Sequence, residues 1–169
     1  CSLVGSEMCI RDKCIVVNPQ TGEVLAMSSK PSVDLNNLPR DNIGELMAST
    51  KNMLITDVYE PGSTFKVLTA AAMLEEYARG NPKAHSASYV FPNNANFRIV
   101  DGSRVKCWTT HTSSKHCNQN LGDALNNSCN PIFTDIGLSL GKETMYKYLS
   151  AFGYGAVSGI DFAGEQAGL

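Results

Sequence analysis

The stretch Glu60-Pro61-Gly62-Ser63-Thr64-Phe65-Lys66-Val67 constrains this chain more than any other. Pro61-Gly62 is a turn signal standing in front of an apolar run that reaches Leu74. The run is apolar nearly all round: Phe65, Val67, Leu68, Ala70, Ala71, Ala72, Met73 and Leu74. That pattern predicts a helix buried in a domain centre, starting at Ser63 and running to about Arg79, with Gly80 as its stop. Lys66 lies inside the run, three residues after Ser63, so hydroxyl and amine share a helix face. Lysine is seldom buried without a partner, and Ser63 is the partner in reach.

This pairing has a chemical use. A serine hydroxyl is a weak nucleophile until a base takes its proton. Burial disfavours the ammonium form of lysine and so turns the amine into that base. A helix N-terminus at Ser63 acts in the same direction and stabilises an oxyanion formed there. The bare Ser-x-x-Lys spacing occurs three times, at Ser63/Lys66, Ser103/Lys106 and Ser139/Lys142. Ser103 follows Asp101-Gly102 in a polar, turn-like stretch. Gly141 is expected to stop a helix between Ser139 and Lys142. The plain alternative for the first pair is a helix cap at Ser63 and a solvated Lys66.

Elsewhere the chain alternates strand and helix signals. Ile15–Val17 and Val24–Met27 read as a hairpin around a turn with Pro19 and Gly22. Lys30–Asn42 reads as a loop, and short helical pieces are expected within Asn36–Met53. Tyr89–Phe91 and Phe97–Val100 read as short edge strands, and Leu121–Asn127 as a helix. Asn130-Pro131 reads as a helix start, with Asn130 the N-cap and Pro131 the first helical residue. That helix should end at Gly141, and Glu143–Phe152 should form another, stopped by Gly153.

Of the 169 residues, 43% are apolar and 18% charged, which fits one globular domain with a core. Net charge is −2 and no basic run stands out, so nothing points to nucleic acid. No apolar stretch is long enough to span a membrane. Residues 1–12, with Cys1 and Cys9, read as a non-native leader, leaving 13–169 as the folded part. From a different functional class, Cys107, His111, His116 and Cys117 are zinc-ligand types within eleven residues. Their spacing matches no standard site, and a small metal-binding structural module is the weaker alternative; no metal or other cofactor is expected.

Tyr59-Glu60-Pro61-Gly62-Ser63-Thr64-Phe65-Lys66 resembles the active-site motif of class B penicillin-binding proteins, the transpeptidases that cross-link bacterial peptidoglycan. The second motif of that family, Ser-x-Asn, has its counterpart in Ser128-Cys129-Asn130. Asn18–Met27, Pro31–Asn36, Cys107-Trp108, Phe152–Gly155 and Gly159–Glu165 also resemble the family, so the resemblance runs from about Lys13 to the last residue. It implies a mixed α/β fold, an antiparallel sheet with helices on both faces and a helical subdomain. It implies Ser63 as nucleophile, Lys66 as base, Ser128 as proton relay and Asn130 as a binder of substrate carbonyl and lysine. The implied substrates are the D-Ala-D-Ala end of a stem peptide and β-lactams, and the implied partner is a glycosyltransferase of the division or sporulation machinery. The implied place is the outer face of the cell membrane, where disulfides form. Cys107 and Cys129 are therefore a possible redox pair, with Cys117 competing as partner.

The family's third motif, Lys-Ser/Thr-Gly, follows none of the lysines. A fragment cut before that strand would lack half of its binding site and be inactive. A β-lactam sensor and a D,D-carboxypeptidase share the fold and remain alternatives. A β-lactamase would need Asp where Cys129 stands and a deacylating glutamate. Glu165 sits in a stretch like that of the penicillin-binding family, so it does not take that role.

Overall fold

In the computed structural model, residues 12–30, 32–34, 36–38, 40–92, 97–107 and 118–168 are described. Two compact units divide the chain, one of residues 1–59 and 157–169, the other of residues 60–156.

The first unit is built on an antiparallel hairpin of β1 (Asp12–Val17) and β2 (Val24–Lys30), with Ile15 opposite Met27. The hairpin is where the sequence put it, but longer, and β1 takes in Asp12 from the expected leader. Two short helices follow, α1 (Ile43–Thr50) and α2 (Met53–Thr56). The side chain of Asn52 caps α2 by accepting from the Leu54 N–H at 3.2 Å. Asp57 accepts from Lys13 at 2.8 Å and Lys51 at 2.7 Å, and these cations hold its carboxyl well below the usual range. The backbone N–H of Gln166 donates to the Ile55 carbonyl. Glu165 accepts from the Ser158 N–H at 2.6 Å, so its carboxylate is engaged in shaping that loop.

The second unit holds a helical core. A 3-10 turn at Gly62–Phe65 leads directly into α3 (Lys66–Ala78). Ser63 therefore sits in the turn before the α-helix, one step outside its expected place as first helical residue. The helix ends at Arg79 and Gly80, as the sequence signalled, with the Asn81 N–H donating to the Glu76 carbonyl and Gly80 to Tyr77. Burial is one-sided. Leu68, Ala72 and Met73 are in the core, whereas Val67 is 62% and Tyr77 51% exposed, so the expectation of burial all round is corrected.

Helices α4 (Leu121–Asn126) and α5 (Asn130–Ala151) complete the core. Ile132, Ile136 and Leu140 recur every fourth residue of α5 and form one cluster with Leu68, Ala72 and Met73 of α3. Ile136 is 1% exposed, so its truncation to alanine would cost about 2–5 kcal/mol. Gly141 breaks α5 with φ 80° and ψ 169°, a conformation closed to residues with a Cβ. The break falls where sequence set the boundary between two helices.

A second hairpin, β3 (Phe97–Val100) and β4 (Ser103–Lys106), pairs Phe97 with Lys106 and Arg98 with Val105. Strand β4 was not foreseen. Asp101 and Gly102, with φ of 47° and 78°, form the two-residue turn that joins the strands. Ser103 and Lys106 thus lie on a strand, where residues three apart face opposite sides and make no dyad. Ser139 and Lys142 are parted by the Gly141 break, and Ser139 donates to the Lys83 carbonyl instead. The expected strand at Tyr89–Phe91 reduces to a single bridge, Phe91 to Gln119. His111, His116 and Cys117 lie outside the described residues, and no metal-binding group occurs among the described ones.

Candidate active site

Lys66 is the first residue of α3, and its side chain turns inward: the residue is 9% exposed, whereas Ser63 before it is exposed. The ammonium nitrogen lies 3.3 Å from Ser63 Oγ, 2.8 Å from Ser128 Oγ, 2.8 Å from the Ser128 carbonyl and 2.6 Å from Asn130 Oδ1. Ser128 Oγ is also 2.8 Å from Ser63 Oγ. Two segments remote in sequence, residues 63–66 and 128–130, thus meet at one nitrogen. Of the residues predicted for the site, Ser63, Lys66, Ser128 and Asn130 are all brought together.

The Ser-Cys-Asn tripeptide owes its shape to a helix junction. Helix α4 ends with the Ser128 N–H donating to the Leu125 carbonyl and the Cys129 N–H to the Ala124 carbonyl. These are the two bonds of a Schellman motif, whose left-handed position usually holds glycine. Here Ser128 holds it, with φ 50°. A left-handed serine costs about 1–2 kcal/mol, and strain of this kind gathers at functional sites. Cys129 is then the N-cap of α5 and Asn130 its first residue.

This corrects the expectation that Asn130 caps the helix: the cap is Cys129, whose side chain makes no cap bond. The Asn130 amide is used otherwise. Its Nδ2 donates to the Lys106 carbonyl at 2.8 Å, which leaves Oδ1 to face Lys66. The Lys106 and Ser128 carbonyls could not be read from sequence, since backbone groups carry no residue signature.

Electrostatics suit a base. Burial pushes the Lys66 ammonium below its ordinary 10.5, opposed in part by the thiols of Cys129 and Cys107. The Phe133 ring centroid lies 5.7 Å from the nitrogen, a cation–π contact that favours the ammonium form. A neutral amine has two N–H groups and one lone pair. The Ser128 carbonyl and Asn130 Oδ1 can only accept, so they take the two N–H groups. The lone pair is left for the hydroxyls. The direct path to Ser63 is long for a hydrogen bond at 3.3 Å, whereas the path through Ser128 Oγ has two links of 2.8 Å.

An open cleft of about 330 Å³ lies alongside, lined by Gly62, Phe65, Lys66, Val105, Asn130 and Phe133 among others. Next to the site, the Cys129 thiol is fully buried and in hydrogen-bond contact with the thiol of Cys107 and with Gln119. Burial raises the Cys129 thiol, and both cysteines are thiols rather than a disulfide here.

A buried lysine shared by two serine hydroxyls and an asparagine amide, on a mixed α/β frame, is the arrangement that acyl transfer of the Ser-x-x-Lys type requires. The chain belongs to the penicillin-binding protein transpeptidase family: the profile described as "Penicillin binding protein transpeptidase domain" matches residues 13–169. It is 38% identical over 156 residues to stage V sporulation protein D of Bacillus subtilis, covering 92% of this chain and 22% of that protein. It is 30% identical over 155 residues to the peptidoglycan D,D-transpeptidase FtsI of Escherichia coli, covering 92% of this chain and 24% of that one. Among solved structures, penicillin-binding protein A from M. tuberculosis, as an imipenem acyl-enzyme complex, superposes with a TM-score of 0.68 at 28% identity. That match covers 85% of this chain and 34% of the other. The chain thus spans about a quarter of the length of these two curated relatives.

Proposed function

We propose that this chain carries the nucleophile and the base of a peptidoglycan D,D-transpeptidase. Ser63 Oγ attacks the carbonyl of the D-Ala-D-Ala bond in a stem peptide. Its proton passes through Ser128 Oγ to the lone pair of Lys66. Collapse of the tetrahedral intermediate breaks the C–N bond, and the proton returns from Lys66 through Ser128 to the departing D-Ala amine. The acyl group stays on Ser63 until an amine of a neighbouring stem attacks it; the amine proton passes to Lys66 by the same route, and as the C–Oγ bond breaks it returns through Ser128 to the freed Ser63 Oγ. The Ser63 N–H, at the head of the turn into α3, serves as one oxyanion donor. Asn130 offers its amide to a substrate carbonyl as well as to Lys66. β-Lactams enter as substrate mimics that stall at the acyl stage.

The observation that carries this reading is the placement of one buried lysine within 2.8 Å of Ser128 Oγ, itself 2.8 Å from Ser63 Oγ. The relatives' names support it, as does the imipenem acyl-enzyme of a structural neighbour. The same proposal places the domain on the outer face of the cell membrane, working with a glycosyltransferase of division or sporulation. It also makes Cys107 and Cys129 a redox-sensitive pair beside the site.

The test is labelling by a fluorescent penicillin in the full-length protein. Ser63→Ala should abolish labelling with the melting temperature kept, and the acyl group in the parent should map to Ser63 by mass spectrometry. Labelling that persists, or that maps to Ser103 or Ser139, refutes the assignment.

A further inference from the structure

The β3–β4 hairpin supplies the carbonyl that fixes the Asn130 amide, so whatever holds the hairpin acts on the site. A two-stranded hairpin is marginal alone and needs anchoring. Its apolar cover is thin, with Ile99 58% exposed. Its firm anchor is a two-pronged ion pair to α5: Arg98 Nε donates to Asp135 Oδ1 and Nη2 to Oδ2, both at 2.6 Å. Such fork-to-fork pairs fix direction as well as distance. Arg98 stands opposite Val105 in the ladder, one residue from the Lys106 carbonyl. On α5, Asp135 is five residues after Asn130, about 7.5 Å along the axis. The ion pair and the Asn130–Lys106 bond thus clamp the same end of the hairpin to the same stretch of helix.

We propose that Arg98 and Asp135 are positioning residues for acyl transfer, acting through the Lys106 carbonyl on the orientation of Asn130 and so on Lys66. With the carbonyl in place, Nδ2 must face Lys106 and Oδ1 must face Lys66. With the hairpin displaced, the amide turns freely, and an Nδ2 facing Lys66 removes an acceptor. Lys66 then loses the pattern that points its lone pair at the hydroxyls. It also loses a group that favours its charged form. This rests on the reading of Ser63 as the acylated residue.

The experiment measures penicillin acylation of the full-length protein as a function of pH, separating the maximal rate from the binding constant. Arg98→Lys keeps the charge but not the fork, and Asp135→Asn keeps the shape but not the charge. Each should lower the maximal rate about 10–100-fold with binding little changed, since a misplacement of about 1 Å costs on that order. The rising limb of the pH profile should move to lower pH. In an Asn130→Ala background neither substitution should slow acylation further, because both act through Asn130. Equal slowing with and without Asn130, or a parent-like rate in both variants, overturns the proposal. Labelling that survives Ser63→Ala overturns the underlying reading instead.

Discussion

Replacing Asn130 by aspartate tests the site at its most sensitive point. The side chains have the same shape, so the change is one of charge and hydrogen bonding. Oδ1 is 2.6 Å from the Lys66 nitrogen. A full negative charge there would attract the ammonium by about 6 kcal/mol at an effective dielectric of about 20, using 332/(20 × 2.6). That favours the charged form of Lys66 and opposes the effect of burial. A carboxylate would also face the Lys106 carbonyl, acceptor against acceptor, where Nδ2 now donates. The base is lost, and acylation at neutral pH should fall about 10²–10⁴-fold.

Asn130→Ala separates charge from lost contact. It removes a hydrogen bond to a group that carries charge for part of the cycle, about 1.5–3 kcal/mol, and should cost about 10–100-fold. The assay is the second-order rate of penicillin acylation of the full-length protein from pH 6 to 10. The parent's rate should level off below the ordinary lysine value of 10.5, because burial lowers Lys66. The aspartate variant should still be climbing about tenfold per pH unit at the top of that range. An aspartate variant within threefold of the parent at pH 7 would refute the reasoning. So would equal rates and parallel pH profiles for the aspartate and alanine variants, since charge would then be irrelevant.

Lys147, Asn81 and Tyr148 hold the Glu76 carboxyl down from 4.5 to about 2. Its contribution to stability is therefore complete above pH 4.5 and lost as pH falls through 2, and melts across that window should flatten in Glu76→Gln; parallel curves would contradict this. For the Cys107–Cys129 pair, oxidation should slow acylation about 10²-fold by pulling on Ser128, with recovery on reduction. Reductant-independent rates in the parent, matched by those of Cys129→Ala, would end that reading.

The sequence made some of this legible and hid the rest for physical reasons. Gly141 and Gly80 marked helix ends because no other residue takes those backbone angles cheaply. The Ser-x-x-Lys and Ser-x-Asn pairs could be read because chemistry restricts those residue types. Strand β4 was hidden because Ser103, Arg104 and Lys106 are polar and only Val105 faces the cleft. Asp101-Gly102 between two short runs was the available sign, a strong hairpin signal that the polar surroundings masked. The left-handed Ser128 left no mark, since the position normally calls for glycine. The cap was assigned one residue late because Asn-Pro is a good helix start, yet the Asn130 amide is claimed by Lys66 and Lys106.

Two lysines touching α3 show why the neighbours of Lys66 matter more than its burial. Lys147 reaches Glu76 at 2.6 Å, and that carboxylate holds its pKa above the ordinary value. It is an ionic tie between α5 and α3 and is useless as a base. Lys66 makes four close contacts, and every one is to a neutral oxygen. Among the described residues it forms no ion pair. Neutral acceptors satisfy the nitrogen in either protonation state, so the cost of burying it stays moderate and deprotonation remains cheap. A carboxylate would satisfy only the charged state. Ser63, Ser128 and Asn130 thus do more than hold Lys66 in place. By being polar without being charged, they leave the lowering of Lys66 by burial without an opposing carboxylate among these contacts.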